Sequence, residues 1–231
     1  MARQFSDHDW VSAPVVDENN ILLGRITIDD VVDIIRAEAE HQALGAAGLD
    51  EEEDLFSPIK RAVRGRIVWL GINLATAFLA ATVIGQFEMT LEKVVALAIL
   101  MPIVAGIGGN AAVQVLTLMV RGLALGQVGA SNARILLWKE IRVALISGVL
   151  IGGLVGLIAW VWFGSPLLML VIALALVINF CAAALAGVLL PLLLKRLNVD
   201  PAVAGTVVVT AVTDVIGFFS FLGLATLILI R

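Results

Sequence analysis

Long apolar runs separated by short charged segments make up most of this chain. Residues 94–120 and 143–194 contain no Asp, Glu, Lys or Arg. Runs of roughly 18 or more such residues are long enough to cross the hydrocarbon layer of a membrane. We place five spans, at residues 67–87, 94–120, 143–163, 167–194 and 207–230. The pattern predicts an all-α integral membrane protein whose five transmembrane helices occupy residues 67–231.

The first 54 residues follow a different pattern. Apolar residues at 11–16 and 21–28, on either side of the turn residues 17–20, predict two strands, and a helix is expected to open at Asp29. Residues 45–58 are rich in glycine and acids and form a break before the first span. This head has too few apolar residues for a core of its own, so we expect the chain to be the tail of a longer protein, or the head to need a partner.

Composition and charge support this division. Of the 231 residues, 61% are hydrophobic, which is above the usual value for soluble domains. Residues 1–54 hold 14 acidic and 3 basic residues, whereas residues 55–231 hold 5 acidic and 12 basic ones. Nothing in this pattern indicates nucleic acid binding, and no signal peptide is visible. The single cysteine, Cys181, is expected to pack within a helix.

Basic residues between the predicted spans indicate the orientation. Positive residues accumulate on the cytoplasmic side of membrane proteins. Two of them, Lys93 and Arg231, lie on one side of the predicted membrane. Ten lie on the other side: Lys60, Arg61, Arg64, Arg66, Arg121, Arg134, Lys139, Arg142, Lys195 and Arg196. We therefore predict a multi-pass protein of the cytoplasmic (inner) membrane, with the N-terminus inside and the C-terminus outside.

The second span carries unusual residues on one helical face. Spacings of 4, 4, 4, 3 and 4 residues place them on one side of a helix: Pro102, Gly106, Asn110, Gln114, Thr117 and Arg121. Proline frees a backbone carbonyl one turn earlier, and glycine lets a backbone approach another group closely. Such features at membrane depth are tolerated only where protein or water covers them.

The fifth span contains Asp214, the only acid that we place within a span. An Asp near the centre of a span costs about 2.5–3.5 kcal/mol on insertion scales, so it should face a cavity or a partner. Thr206, Thr210 and Gly217 share its helical face, and Thr213 lies beside that face. A packing role for Asp214 is an alternative, but we favour a cation site because the second span offers a matching polar face.

The available ligands indicate which cation such a site would bind. No His or Cys lies near the polar faces, so zinc and copper lack their usual ligands. One carboxylate among hydroxyls, amides and carbonyls suits a hard cation that keeps its water, as Mg2+ does. Physical reasoning alone also allows Na+ or H+.

Three other features have simpler interpretations. Gly148, Gly152 and Gly156 predict a seam where two helices pack closely. Asn179 is interpreted as an interhelical hydrogen-bonding residue rather than a pore ligand. The acidic run at residues 50–54 is interpreted as a solvated linker rather than a Mg2+ site.

Three segments together resemble the MgtE family of magnesium transporters. "PIVAGIGGNAAVQVLTLMVRGLALGQ" is similar to the signature of the family's second helix, and "VDPAVAGTVVVTAVTDVIGFFSFLGLA" to that of its fifth. "APVVDENNILLGRITIDDVVDII" resembles the end of the family's second CBS module. The resemblance implies a CBS remnant at residues 1–36, an acidic connecting helix and linker at 37–66, and the transmembrane domain after them.

The resemblance also implies roles for individual residues. It implies a homodimer with a pore on the two-fold axis, where Asp214 and the backbone at Thr210 bind hydrated Mg2+ level with Gly106 and Asn110. The remaining pore-lining residues would be Gln114, Thr117, Thr206, Thr213 and Gly217. Regulatory Mg2+ would bind on the cytoplasmic side at Asp200, Asp9, Asp30 and Glu38. His41 and Gln42 stand where the family commonly has an acidic pair.

We therefore predict a channel-like transporter in the lipid bilayer that is not an enzyme, with Mg2+ as substrate, regulator and only cofactor. One alternative is a secondary transporter that exchanges H+ or Na+ for a divalent ion at Asp214. Another is a membrane anchor for a regulatory head. An anchor needs no polar lining, so the stripe in the second span argues against it.

Overall fold

The structure is a computed structural model that describes residues 2–49, 56, 58–129 and 132–230. The chain begins with a short helix, a two-stranded antiparallel sheet and a longer helix, and continues as a bundle of helices. The elements are α1 (Ala2–His8), β1 (Ser12–Val16), β2 (Leu22–Thr27), α2 (Ile28–Ala46), α3 (Ile59–Gly85), α4 (Glu88–Lys93), α5 (Ala96–Ala124), α6 (Ala133–Phe163), α7 (Pro166–Arg196) and α8 (Pro201–Leu229).

Five helices, α3, α5, α6, α7 and α8, are long and apolar enough to cross a membrane. They have 27, 29, 31, 31 and 29 residues, so the predicted all-α membrane protein with five spans is confirmed. Several of the helices extend past the predicted spans because a helix continues into the polar interface after its apolar run ends. The largest difference is at α6, which begins at Ala133 rather than near residue 143.

Helix α7 forms the centre of the bundle. It packs against α5, α6 and α8. Helix α3, by contrast, makes substantial contacts with only one other long helix, α8. A tight turn reverses the chain between α6 and α7. Gly164 adopts φ 68° and donates its N–H to the carbonyl of Trp160 at 2.7 Å, and the Ser165 hydroxyl caps α7 by accepting from Leu168 N at 3.3 Å.

The predicted glycine seam lies between α6 and α7. All three of its glycines are buried. A Cβ atom at Gly152 would lie 2.8 Å from the carbonyl oxygen of Ala173, and one at Gly156 would lie 2.9 Å from that of Met169. A Cβ atom at Gly148 would lie 3.0 Å from the Cα of Val177. The glycines therefore allow the two helix backbones to touch, which confirms the prediction.

The N-terminal head has the predicted hairpin and helix. The carboxylate of Asp17 accepts hydrogen bonds from the backbone N–H groups of Asn19 and Ile21 at 2.9 and 2.8 Å, which closes the turn. Phe5 and Val31 are buried, but apolar side chains of the sheet such as Leu22 and Leu23 are 66% and 68% exposed. This small core agrees with the expectation that the head is not self-sufficient.

Candidate ion pathway

The six unusual residues of α5 all lie on an exposed face of the chain. Pro102, Gly106, Asn110, Gln114, Thr117 and Arg121 are each exposed. The buried side of the same helix carries Val104, Gly108, Ala112, Leu116 and Met119. Helix α5 is continuous through Pro102. The polar stripe is therefore a real surface of one uninterrupted helix, as the spacing predicted.

The register between α5 and α8 follows from three contacts. A Cβ at Gly109 would lie 3.7 Å from Thr210 Cγ2, one at Gly205 would lie 2.8 Å from Leu116 Cδ1, and one at Gly217 would lie 3.3 Å from Val104 Cγ1. Helices α5 and α8 run antiparallel, because increasing residue numbers on α5 are paired with decreasing residue numbers on α8. This register puts Gly106 level with Asp214, Asn110 level with Thr210, and Gln114 level with Thr206.

The residues of α8 beside this stripe are half-buried. Asp214, Thr210 and Thr206 each retain partial exposure. Among the described residues, the Asp214 carboxylate accepts no hydrogen bond and forms no ion pair. The Thr210 hydroxyl donates to the carbonyls of Thr206 and Val207 at 2.9 and 3.0 Å. The carboxylate thus keeps all of its ligand capacity for a group from outside the chain.

Two other predicted pore-lining residues face the interior of the bundle. Thr213 has no exposed surface, and its hydroxyl donates to the carbonyls of Val209 and Thr210 at 3.1 and 3.0 Å. Gly217 is also buried, and a Cβ there would lie 2.6 Å from the Asn179 amide nitrogen. Within one chain these two residues form no part of the accessible surface that carries Asp214.

Asn179 joins α7 to the two helices of the candidate pathway. Its side chain is fully buried, and its amide nitrogen donates to the carbonyl of Val104 on α5 at 3.0 Å. It lies against Gly108 of α5 and Gly217 of α8, two positions where a Cβ would collide with it. Its Oδ1 atom has no hydrogen-bond partner. The interhelical interpretation of Asn179 is confirmed.

The predicted regulatory acids are not gathered into one cluster. Asp200 caps α8 by accepting from Ala202 N at 2.7 Å, and its other carboxylate oxygen lies 2.7 Å from Nε2 of His41 on α2. Asp30 caps α2: it accepts from the backbone and hydroxyl of Thr27 at 2.9 and 2.8 Å. The backbone hydrogen bond from Thr27, followed by the hydroxyl bond, lowers the pKa of Asp30 below its ordinary value.

The remaining predicted regulatory positions lie apart on the head. Asp9 follows α1 with φ 52°, and Glu38 is exposed on α2. The acidic run at residues 50–54 lies outside the described residues. In the part of the chain that the structure describes, no three His, Cys, Asp or Glu side chains come close enough together to hold a metal ion.

Two polar residues of the spanning helices escaped the sequence analysis. Glu140 lies on α6 and is only 6% exposed, with its carboxylate 3.1 Å from Lys139 Nζ. Glu140 precedes the predicted third span, which starts at residue 143, so it was not considered as part of a spanning helix. Helix α6 begins earlier, at Ala133, and includes it. Asn73 lies near the middle of α3 and lines a cavity beside Thr206 and Thr210. Its signal was a lone amide within an apolar run.

Comparison with known proteins gives consistent results. "Magnesium transporter MgtE" of Thermus thermophilus is 36% identical over 233 residues, covering 99% of this chain and 51% of that protein. The protein of the same name from Bacillus subtilis is 32% identical over 228 residues, covering 98% of this chain and 50% of that protein. The chain therefore spans about half the length of the curated relatives that it matches.

A family model provides the remaining match. The model described as "MgtE: Divalent cation transporter" matches residues 101–224. That region runs from the start of the α5 stripe to the last part of α8, and it includes both faces of the candidate pathway. The match covers more than half of the chain, so this multi-pass membrane protein belongs to the MgtE family of divalent cation transporters.

Proposed function

We propose that this chain carries Mg2+ across the membrane along a pathway lined by α5 and α8. Hydrated Mg2+ is held at Asp214 with Thr210, Gly106 and Asn110 at or near the same depth, and Gln114, Thr117 and Thr206 continue the polar lining toward the cytoplasm. The relatives' name, magnesium transporter, supports this choice of cation. The ion moves down its own gradient, as in a channel.

The observation that carries the proposal is the alignment of two polar faces around one unpartnered carboxylate. Asp214 and Gly106 are level in the antiparallel pair, and the Asp214 carboxylate has no partner among the described residues. Gly106 leaves open space, since a Cβ built there meets no atom within 4 Å. A carboxylate beside such a space holds an ion through its hydration shell, which is how Mg2+ usually binds.

We further propose that two copies of the chain form a homodimer with these faces on its axis. The stripe on α5 is exposed in one chain, although it lies at membrane depth. Polar groups and glycine are unfavourable where they face lipid. A second copy would cover the stripe and enclose a water-filled space, so that the polar groups of both copies face water instead of lipid. Because Thr213 and Gly217 are buried, they support the helix packing rather than the lining.

The cytoplasmic side of the proposal concerns the head. We infer that residues 2–36 end a CBS module, since the hairpin leaves apolar side chains such as Leu22 and Leu23 exposed for the rest of a module to cover. The contact of His41 with Asp200 links α2 to the start of α8. With the N-terminus inside, this link connects the head to a pore helix, and bound Mg2+ at Asp200, Asp9, Asp30 and Glu38 would bias the same link.

Replacing Asp214 with asparagine tests the ion site. The change keeps the size of the side chain and removes its charge. We expect Mg2+ affinity to fall by about 10- to 100-fold, because a hydrogen bond to a charged group contributes about 1.5–3 kcal/mol. Calorimetry of Mg2+ binding and influx into liposomes loaded with a Mg2+ dye measure the effect, with Glu92→Gln, at an exposed carboxylate of α4 outside the five spanning helices, as a matched control.

The same liposomes separate a channel from an exchanger. Influx through the unmodified protein should persist when neither a pH gradient nor a Na+ gradient is imposed. An absolute requirement for either gradient would support the coupled transporter instead. Unchanged affinity and selectivity for Mg2+ in Asp214→Asn would overturn the assignment of the site.

A further inference from the structure

A largely apolar cavity with a few polar side chains lies between α2, α3 and α8. Its volume is about 430 Å3, and its walls come from the end of α2, the first half of α3 and the first half of α8. Its side chains divide into a rim and a deeper part. Arg66 and Trp69 form the rim, and Asn73, Thr206 and Thr210 form the deeper part.

The deeper part of the cavity reaches the candidate pathway. Thr206 and Thr210 belong to the polar face of α8, and Thr210 is one helical turn from Asp214. Asn73 is near the middle of α3, and Asp214 is near the middle of α8. The lining of the cavity therefore ends at Asn73 and Thr210, one helical turn short of Asp214 on α8.

Asn73 is a costly residue at this position unless water or an ion reaches it. It is exposed in the chain, it lies within an apolar span, and its side-chain amide has no hydrogen-bond partner among the described residues. An amide that faces hydrocarbon without a hydrogen-bond partner is unfavourable. The Thr210 hydroxyl opposite it donates to carbonyls of its own helix, so its lone pairs remain available.

We propose that this cavity is the water-filled inner vestibule of the ion pathway and that Asn73 of α3 lines it. The Asn73 carbonyl oxygen accepts hydrogen bonds from the water shell of the entering cation, and the oxygens of Thr206 and Thr210 do the same from the opposite wall. Arg66 lies two helical turns away at the rim, about 10 Å along α3. The inference rests on the proposed function, and it adds a third helix to the pathway.

Cysteine accessibility tests whether the vestibule is wet. The chain has one cysteine, Cys181 on α7, so Cys181→Ala provides a cysteine-free background. In that background, Asn73→Cys should react with a charged, membrane-impermeant methanethiosulfonate added to both faces of the membrane, and raised Mg2+ should slow the reaction. Leu74→Cys is the matched control, because Leu74 is 58% exposed on the same turn but lies outside the cavity. It should not react.

Transport measurements test the role of the amide. Asn73→Leu should lower Mg2+ influx by about 3- to 10-fold, the effect of losing one hydrogen bond, and Asn73→Gln should restore most of it. Size-exclusion chromatography checks that both variants remain folded. If Asn73→Cys is as unreactive as Leu74→Cys while the parent protein transports Mg2+, the inference of a water-filled vestibule at Asn73 fails. The proposed pathway at Asp214 is not affected by that result. If influx survives Asp214→Asn unchanged, the proposed function itself fails.

Discussion

At the scale of the residue, Asn179 shows how a single side chain sets the spacing of two helices. Its amide occupies space that Gly108 and Gly217 leave free, and its nitrogen bonds to the Val104 carbonyl. Replacing either glycine by a larger residue would push α5 or α8 away from α7. The unpartnered Oδ1 atom is unfavourable in a buried site and offsets part of the stabilisation from this contact.

A double-mutant cycle at Gly108 and Asn179 measures this coupling. Gly108→Ala should destabilise the protein by about 1–3 kcal/mol, because the new methyl group collides with the Asn179 amide. In an Asn179→Ala background the same change should cost much less, giving a coupling of about 0.5–3 kcal/mol. Thermal unfolding in detergent provides the values. Gly106→Ala is the control, since a Cβ there meets nothing within 4 Å. If Gly108→Ala lowered the stability equally in both backgrounds, the Asn179 side chain would not be the group that the new methyl collides with.

At the scale of the element, the packing of α6 on α7 depends on backbone contact. Gly152→Ala should destabilise the protein by about 1–3 kcal/mol, because its Cβ would lie 2.8 Å from the Ala173 carbonyl oxygen. That oxygen belongs to the backbone of α7, so it cannot move aside as a flexible side chain could. Gly153→Ala, one residue along, meets no atom and should be neutral or stabilising by up to about 1 kcal/mol from helix propensity. Comparing their unfolding midpoints tests the seam, and equal midpoints would contradict it.

The elements also show what the sequence could and could not predict. The five spans were readable because charges are absent over long stretches, and the α5 stripe because its spacing repeats every three or four residues. Helices α1 and α4 have only 7 and 6 residues, too few for a periodic pattern. Spacing placed Gly217 with Asp214, but it could not locate α7, whose Asn179 packs against Gly217. The contribution of Asn73 required the placement of α3 beside α8.

At the scale of the whole molecule, the single chain leaves the pathway open on one side. The residues of the α5 stripe are exposed, whereas α7 behind them is the most buried helix of the bundle. A second copy related by a two-fold axis along the membrane normal would bring the two stripes face to face. The water-filled space that we propose between them would keep equivalent residues farther apart than the roughly 7 Å between Cα atoms that a disulfide allows. Proximity should therefore be measured with a cross-linker that has a spacer.

Cross-linking through Gln114 tests this arrangement. In the Cys181→Ala background, Gln114→Cys should give covalent dimers in membranes with a bismaleimide that has a flexible spacer, because Gln114 is exposed and the proposed dimer would bring the two thiols face to face across its axis. Leu157→Cys, at a residue 46% exposed on α6, is the matched control and should stay monomeric. Raised Mg2+ should change the yield only at Gln114→Cys, since the proposed pathway would hold an ion and its water in that space. Dimers from Leu157→Cys alone would place α6, and not α5, at the contact between copies, and the pathway would then have to lie within one chain.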